Sequence, residues 1–197
     1  MKNPDFGSRD PHALEQVAVP EQQGLRVAVT YEPDLRKRIR VLTVIFIIGL
    51  VLSGATAIPL VAEVDYLVKL TGSRELQLAP RATPVPVWAL WLTKVQDALH
   101  SVADEHPFLF YGTDWLAFGH FVIAIAFIGA LRDPVRNVWL FTFGMIACAL
   151  VVPYALIFGA IRGIPFYWRL IDCSFGIFGI IPIWLCRKWA RQLTNNF

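Results

Sequence analysis

The sequence predicts an all-α integral membrane protein with four transmembrane helices. Hydrophobic residues make up 56% of its 197 residues and charged residues only 17%, whereas a soluble domain carries about a quarter charged residues. The apolar residues are grouped into long runs that basic residues flank. Since an α-helix rises about 1.5 Å per residue, some 20 apolar residues cross the roughly 30 Å of hydrocarbon in a bilayer.

The chain begins with a polar segment, residues 1–34, that shows no helical periodicity. We expect a flexible cytoplasmic tail there. The first apolar run starts only at Val41, too far along the chain for a cleavable signal peptide, so the first helix is expected to stay in the protein as a signal anchor.

Four segments have the length and composition of a transmembrane helix. Charged residues are absent from the first and the third, and short polar turns separate the second, third and fourth. Together with their flanks they form a transmembrane domain over 35–191, which a short cytoplasmic tail, 192–197, follows. The predicted spans are about 41–62, 113–131, 137–161 and 166–186.

Small residues on two of these spans predict close helix packing, because they let backbones approach in lipid. On the first span they are Gly49, Ser53 and Ala57, and on the fourth Gly176 and Gly179.

A long connection, residues 63–112, joins the first two spans, and prolines interrupt it. After the prolines, apolar side chains repeat at the 3.6-residue period of an amphipathic helix over about 86–104. We expect this helix to pack over the bundle or to lie at the membrane interface. A lid or a helix that docks a partner is the alternative.

Lysine and arginine near the ends of the spans gather on one side of the predicted topology. They lie at 36–40, at Arg132 and Arg136, and at 187–191. Because cytoplasmic loops carry the excess of basic residues, both termini are expected in the cytoplasm and the 63–112 connection outside it. No basic face on a soluble fold is apparent, so nucleic acid is not an expected partner.

Polar side chains recur at a similar depth in all four predicted spans, between mid-membrane and the outer interface. Ionisable groups inside a membrane are costly and usually face the bundle interior or a wet cavity. Arg169 and Asp172 lie three residues apart on one helix face, either as a structural ion pair or as a ligand or proton site. The candidate residues of this polar layer are His120, Asp172, Arg169, Cys148, Cys173, Ser53, Thr56, Tyr154 and Asp114.

His120 is the candidate with the widest chemistry, since an imidazole can donate, accept, ligate a metal or change its protonation state. A haem or metal site would need a second strong ligand, for which Cys148 has a suitable depth. The sequence has no zinc-protease, nucleophile-elbow, P-loop or dinucleotide-binding motif, and its three cysteines form no zinc spacing or disulfide framework. We therefore predict no catalytic residue, metal site or cofactor, and the pattern favours a protein that is not an enzyme.

Three stretches carry a resemblance to a known family: YGTDWLAFGH at 111–120, RDPVRN at 132–137 and GIPFYWRLIDCSFG at 163–176. They resemble an uncharacterised family of small bacterial four-helix integral membrane proteins, over roughly residues 111–187. The resemblance implies a bacterial cytoplasmic (inner) membrane and brings no activity with it.

These features leave three functional hypotheses. The favoured one is a scaffold, assembly factor or accessory subunit that binds other membrane proteins or further copies of itself, because the chain is small and has two segments outside the bundle. A small-solute or proton transporter or channel subunit would use the polar layer. An intramembrane redox or lipid- or quinone-binding protein would use the histidine, aspartate and cysteine candidates. Membrane lipids are expected partners in each case.

Overall fold

A computed structural model describes residues 19–78 and 84–195, with side chains described from residue 32 onward. These residues are helical apart from short connections between the helices. A 3₁₀ turn, Pro107–Phe110, leads into the second long apolar helix. The α-helices are α1 (Val19–Thr56), α2 (Leu60–Thr71), α3 (Ser73–Leu78), α4 (Val87–Glu105), α5 (Tyr111–Arg132), α6 (Val138–Ile161) and α7 (Phe166–Asn195).

Four helical segments are long and apolar enough to cross a membrane. They are Glu32–Thr56, Pro107–Arg132, Val138–Ile161 and Phe166–Asn195. The prediction of an all-α membrane protein with four transmembrane helices is therefore confirmed.

The N-terminal part of α1 differs from the prediction. The helix begins at Val19, inside the segment 1–34 for which we expected a flexible tail. Leu35 and Ile39, which follow this segment in the same helix, are buried against the other spans. Packing thus stabilises α1 directly before the apolar run. Residues 1–18 of the predicted tail lie outside the described residues.

The first span also ends earlier than predicted. α1 ends at Thr56, whereas the predicted helix runs to about residue 62. Pro59 lies in the short connection, and α2 begins at Leu60 directly after it. Because proline lacks an amide hydrogen and crowds the preceding turn, the apolar run is divided between two helices.

The last span is longer than predicted. α7 continues from Phe166 to Asn195, past the expected end near residue 186. Its final turns bury Ala190 and Leu193 in the bundle core. Most of the expected C-terminal tail is therefore helix, and residues 196–197 lie outside the described part.

The bundle core lies at one end of the molecule and joins all four spans. It unites the beginning of the first span, in the middle of α1, with the end of α5, the beginning of α6 and the end of α7. Successive spans therefore run in opposite directions. Phe127 is at its centre, with its ring centroid 4.9 Å from that of Phe46 and 6.4 Å from that of Phe141. The buried members are Leu35, Ile39, Phe127, Ala130, Phe141, Ile183, Cys186, Ala190 and Leu193.

We call this end of the bundle the basic end. The lysines and arginines that flank the spans there are Arg36, Lys37, Arg38, Arg40, Arg132, Arg136, Arg187, Lys188 and Arg191.

Close packing of α6 against α7 depends on glycine. A Cβ at Gly176 would fall on the backbone carbonyl of Cys148 and 3.2 Å from Cβ of Val151, and one at Gly179 would lie 3.0 Å from the Cys148 sulfur. The predicted small-residue face of the fourth span is thus a helix contact.

The contact between α1 and α5 uses a different glycine from those expected. A Cβ at Gly54 would lie 3.0 Å from the carbonyl oxygen of Ala117 and 3.0 Å from Cβ of His120. Gly49, which belongs to the expected ridge, has nothing within 4 Å of that position. The prediction of a small contact surface on this span holds, but its register is wrong by about a third of a turn or more.

Outside the bundle, α2, α3 and α4 form a unit at the end opposite the basic end. The predicted amphipathic helix is confirmed as α4, while α2 and α3 were not predicted. Val64 and Val68 of α2 pack against Leu92 of α4, and Trp168 at the beginning of α7 packs against this small core. Gly72, at a φ of 62°, ends α2 in the left-handed conformation and lets α3 follow directly. We call these three helices the α2–α4 unit.

Candidate functional site

His120 forms its hydrogen bond within its own helix. Its Nδ1 lies 2.8 Å from the carbonyl oxygen of Leu116 and donates to it. The side chain is half-buried beside Gly54, where α1 and α5 meet. In this position one ring nitrogen of the histidine is satisfied within its own helix.

Arg169 and Asp172 are not joined by an ion pair in the described structure, which corrects the pairing expected from their spacing. Arg169 instead donates from a guanidinium nitrogen to the carbonyl oxygen of Leu156, at 3.2 Å, and its guanidinium lies 5.3 Å from the ring centroid of Phe166. Its aliphatic part fills the space beside Gly159 on α6. The arginine therefore turns toward the neighbouring span, and Asp172 stays half-buried on α7.

Cys148 and Cys173 pack between α6 and α7. The Cys173 sulfur lies 3.8 Å from the carbonyl oxygen of Val152 on α6, and Cys148 is covered by the glycines of α7. Both are buried free cysteines. They fill the helix contact, as small polarisable side chains do in other cores.

The other four candidates are exposed on the surface of the helices. Thr56 donates to the carbonyl oxygen of Ser53 at 3.2 Å, and the Tyr154 ring stacks at 4.5 Å on that of Phe158. Ser53 and Asp114 are likewise exposed. The structure thus distributes the predicted polar layer over separate faces, and within residues 32–78 and 84–195 no group of three His, Cys, Asp or Glu side chains could hold a metal ion.

A polar network that the sequence does not predict lies on the α2–α4 unit. Asp65 of α2 accepts from Nε2 of Gln96 at 2.8 Å and from Nε2 of His100 at 2.9 Å. Arg74 of α3 donates to the Gln96 side-chain oxygen at 2.6 Å and to the Asp97 carboxylate at 2.5 Å. We call these five residues the clasp. The clasp links α2 and α3 to α4.

The clasp also changes the acidity of its members. Hydrogen bonds from Gln96 and then His100 lower the pKa of Asp65 below its ordinary value. The hydrogen bond from Arg74 lowers the pKa of Asp97 and raises that of Arg74 itself. These directions follow because each bond favours the charged form of its partners.

The α2–α4 unit exposes large apolar side chains as well. Tyr66 and Leu70 lie one turn apart on α2 and are 65% and 67% exposed, and Leu78 at the end of α3 is 76% exposed. Val87 and Trp88 extend the exposed apolar surface at the start of α4. We call Tyr66 and Leu70, with their neighbour Leu67, the outer face of α2. Exposed apolar surface outside the bundle is typical of contacts with a partner or with the membrane interface.

The protein is a multi-pass membrane protein. No family model, curated protein or solved structure matches it. The resemblance to small bacterial membrane proteins stays a prediction, and the functional interpretation depends on the geometry of the molecule.

Proposed function

We propose that this protein is a non-enzymatic accessory or assembly subunit that binds another membrane protein through the outer face of α2. The observation that carries the proposal is a helical unit outside the bundle, with its own core and clasp, that leaves Tyr66 and Leu70 exposed. A helical element that presents large apolar and aromatic side chains has the composition of an interface core.

The bundle supports this choice over catalysis or transport. A catalytic group must come within hydrogen-bond reach of the groups it works with. His120 and Arg169 each direct one nitrogen to a backbone carbonyl of the bundle, and Ser53, Thr56 and Tyr154 face outward. A transport path would therefore need further chains to complete it.

We further propose that the protein lies in a bacterial inner membrane with both termini in the cytoplasm. The alternating direction of the four spans and the lysines and arginines of the basic end support this orientation. The α2–α4 unit is then extracytoplasmic, and its partner would present a complementary surface on that side of the membrane.

The test is native mass spectrometry of the full chain, extracted with a mild detergent from its own membrane. We expect a complex heavier than the monomer. Because burial of a large apolar side chain contributes about 1.5–3 kcal/mol, the double variant Tyr66→Ser, Leu70→Ser should reduce the recovered complex by roughly tenfold or more.

The matched control is Ser101→Ala, Asp104→Asn, which changes two exposed polar residues of α4 and should leave the complex intact. Helix content and thermal unfolding of each variant exclude misfolding as the cause. Recovery of a lone monomer would overturn the proposal. So would a complex that survives the double variant, since a face that contacts only lipid leaves the assembly unchanged.

A further inference from the structure

A cavity of about 490 Å³ lies between α1 and α7 at the basic end. Along α1, the charged residues that line the cavity come first and the apolar ones follow. From residue 34 to residue 42 this change takes roughly 12 Å along the helix axis. The lining residues are Asp34, Lys37, Arg38, Val41 and Leu42 of α1 with Leu185 and Trp189 of α7.

The cavity lies where the sequence of α1 changes from charged to apolar residues. Val41 is the first residue of the apolar run, and Lys37 and Arg38 precede it by about one helical turn, or roughly 5 Å. Trp189, on the opposite wall, has an apolar ring with a polar N–H, a combination that favours the interface. The cavity therefore offers cations and, next to them, apolar walls.

The charges in the cavity favour an anion. Both Lys37 and Arg38 are exposed, and no described side chain forms an ion pair or hydrogen bond with either. Asp34, the acidic residue of the lining, is not within 4 Å of their nitrogens, and the neighbouring Arg36 is paired with Glu32 at 3.0 Å. Two cations against one carboxylate leave a net positive site.

We propose that this cavity binds one anionic phospholipid. The phosphate would bind Lys37 and Arg38, and the beginning of an acyl chain would lie along Val41, Leu42 and Leu185. A free phosphate would use only the cations and leave the apolar wall uncovered, so the lining favours a lipid. The site is at the other end of the molecule from the outer face of α2 and does not depend on the partner proposed above.

The experiment titrates the purified full chain in a neutral detergent with phosphatidylglycerol or phosphatidylcholine and reads bound lipid by native mass spectrometry. The double variant Lys37→Gln, Arg38→Gln should weaken phosphatidylglycerol binding roughly 30-fold, since each basic residue at a membrane surface contributes on the order of fivefold. The matched control Arg132→Gln, Arg136→Gln removes two charges from the same end, in the α5–α6 turn, and should retain the affinity.

Tryptophan quenching locates the lipid independently of mass. Phosphatidylglycerol with brominated acyl chains should quench the wild-type protein more than Trp189→Phe, and inorganic phosphate in millimolar excess should not abolish the difference. Equal binding of phosphatidylcholine would overturn the proposal. Equal losses in the two double variants would also overturn it, because they would indicate a diffuse basic surface, and displacement by inorganic phosphate would assign the site to a soluble anion.

Discussion

Replacing Gly176 with alanine tests the contact between α6 and α7. The added methyl group would fall on the backbone carbonyl of Cys148 and 3.2 Å from Cβ of Val151. The first neighbour is a backbone atom and the second is the Cβ of a β-branched side chain, so neither can rotate away. The two helices would have to part by roughly 1 Å to restore ordinary contact distances.

The expected cost follows from two opposing terms. Over-packing of a close contact costs about 1–3 kcal/mol, while glycine to alanine within a helix gains at most about 0.5–1 kcal/mol. Gly176→Ala should therefore destabilise the protein by about 1–2 kcal/mol. Gly49→Ala is the matched control, because nothing lies within 4 Å of its added methyl group and only the helix term remains.

Reversible unfolding in mixed micelles, titrated with dodecyl sulfate and followed by circular dichroism, measures both variants. We expect Gly49→Ala to unfold at or above the wild-type midpoint and Gly176→Ala clearly below it. A Gly176→Ala protein as stable as Gly49→Ala would refute the close approach of α6 and α7.

Three further predictions concern the clasp, the bundle core and the cysteines. The clasp lowers the pKa of Asp65 and of Asp97 from an ordinary value of 3.8. The stability that these two carboxylates contribute is therefore complete above that pH and is lost as the pH falls through their lower pKa values in the folded protein. Tryptophan fluorescence should accordingly report loosening of the α2–α4 unit below about pH 4. Phe127→Ala should destabilise the bundle by about 2 kcal/mol in the same micelle titration, since it opens a cavity without the full water-transfer cost of a soluble core. A membrane-permeant maleimide should label the folded protein slowly and the unfolded protein fully at Cys148, Cys173 and Cys186, which are all buried.

A different result would contradict each of these three predictions. An Asp65→Asn variant with the same acid response as the wild type would remove the clasp from the explanation. A Phe127→Ala protein of unchanged midpoint would place that ring at the lipid surface, and rapid labelling of the folded protein would show that the cysteines do not pack between helices.

The four spans could be predicted because each apolar run is long, and the length alone decides its structure. α4 could be predicted because its apolar residues repeat at the helical period. α2 carries the same signal, with Leu60, Val64 and Val68 on one face, but its first residues continue the apolar run of the preceding span. Pro59 marks the division, although the length of the apolar run predicts one helix through it.

For the candidate polar layer, the position of a residue along its helix does not determine which way its side chain points. Counting residues gives the height of a side chain in the membrane, but not its direction around the helix axis. Ser53 and Tyr154 face outward, while Arg169 turns toward α6 and the Leu156 carbonyl. The same limit explains why Gly54, and not Gly49, meets α5. Direction depends on packing between helices, which no single span encodes.

The clasp was missed for a related reason. Its members are separated by more than twenty residues along the chain, from Asp65 and Arg74 to Gln96, Asp97 and His100. Polar residues in a long connection are ordinarily solvated, so their types alone predict no network. Only the packing of Val64 and Val68 on Leu92 brings the two sets together.

Site-directed labelling tests the central claim most directly, namely four crossings that put the α2–α4 unit and the basic end on opposite sides of the membrane. Ser101→Cys in α4 and Arg136→Cys in the α5–α6 turn are both exposed positions, and the native cysteines are buried. In intact cells a membrane-impermeant maleimide should label Ser101→Cys, and it should reach Arg136→Cys only after the membrane is permeabilised. Labelling of both positions from the same side would contradict the four-span topology.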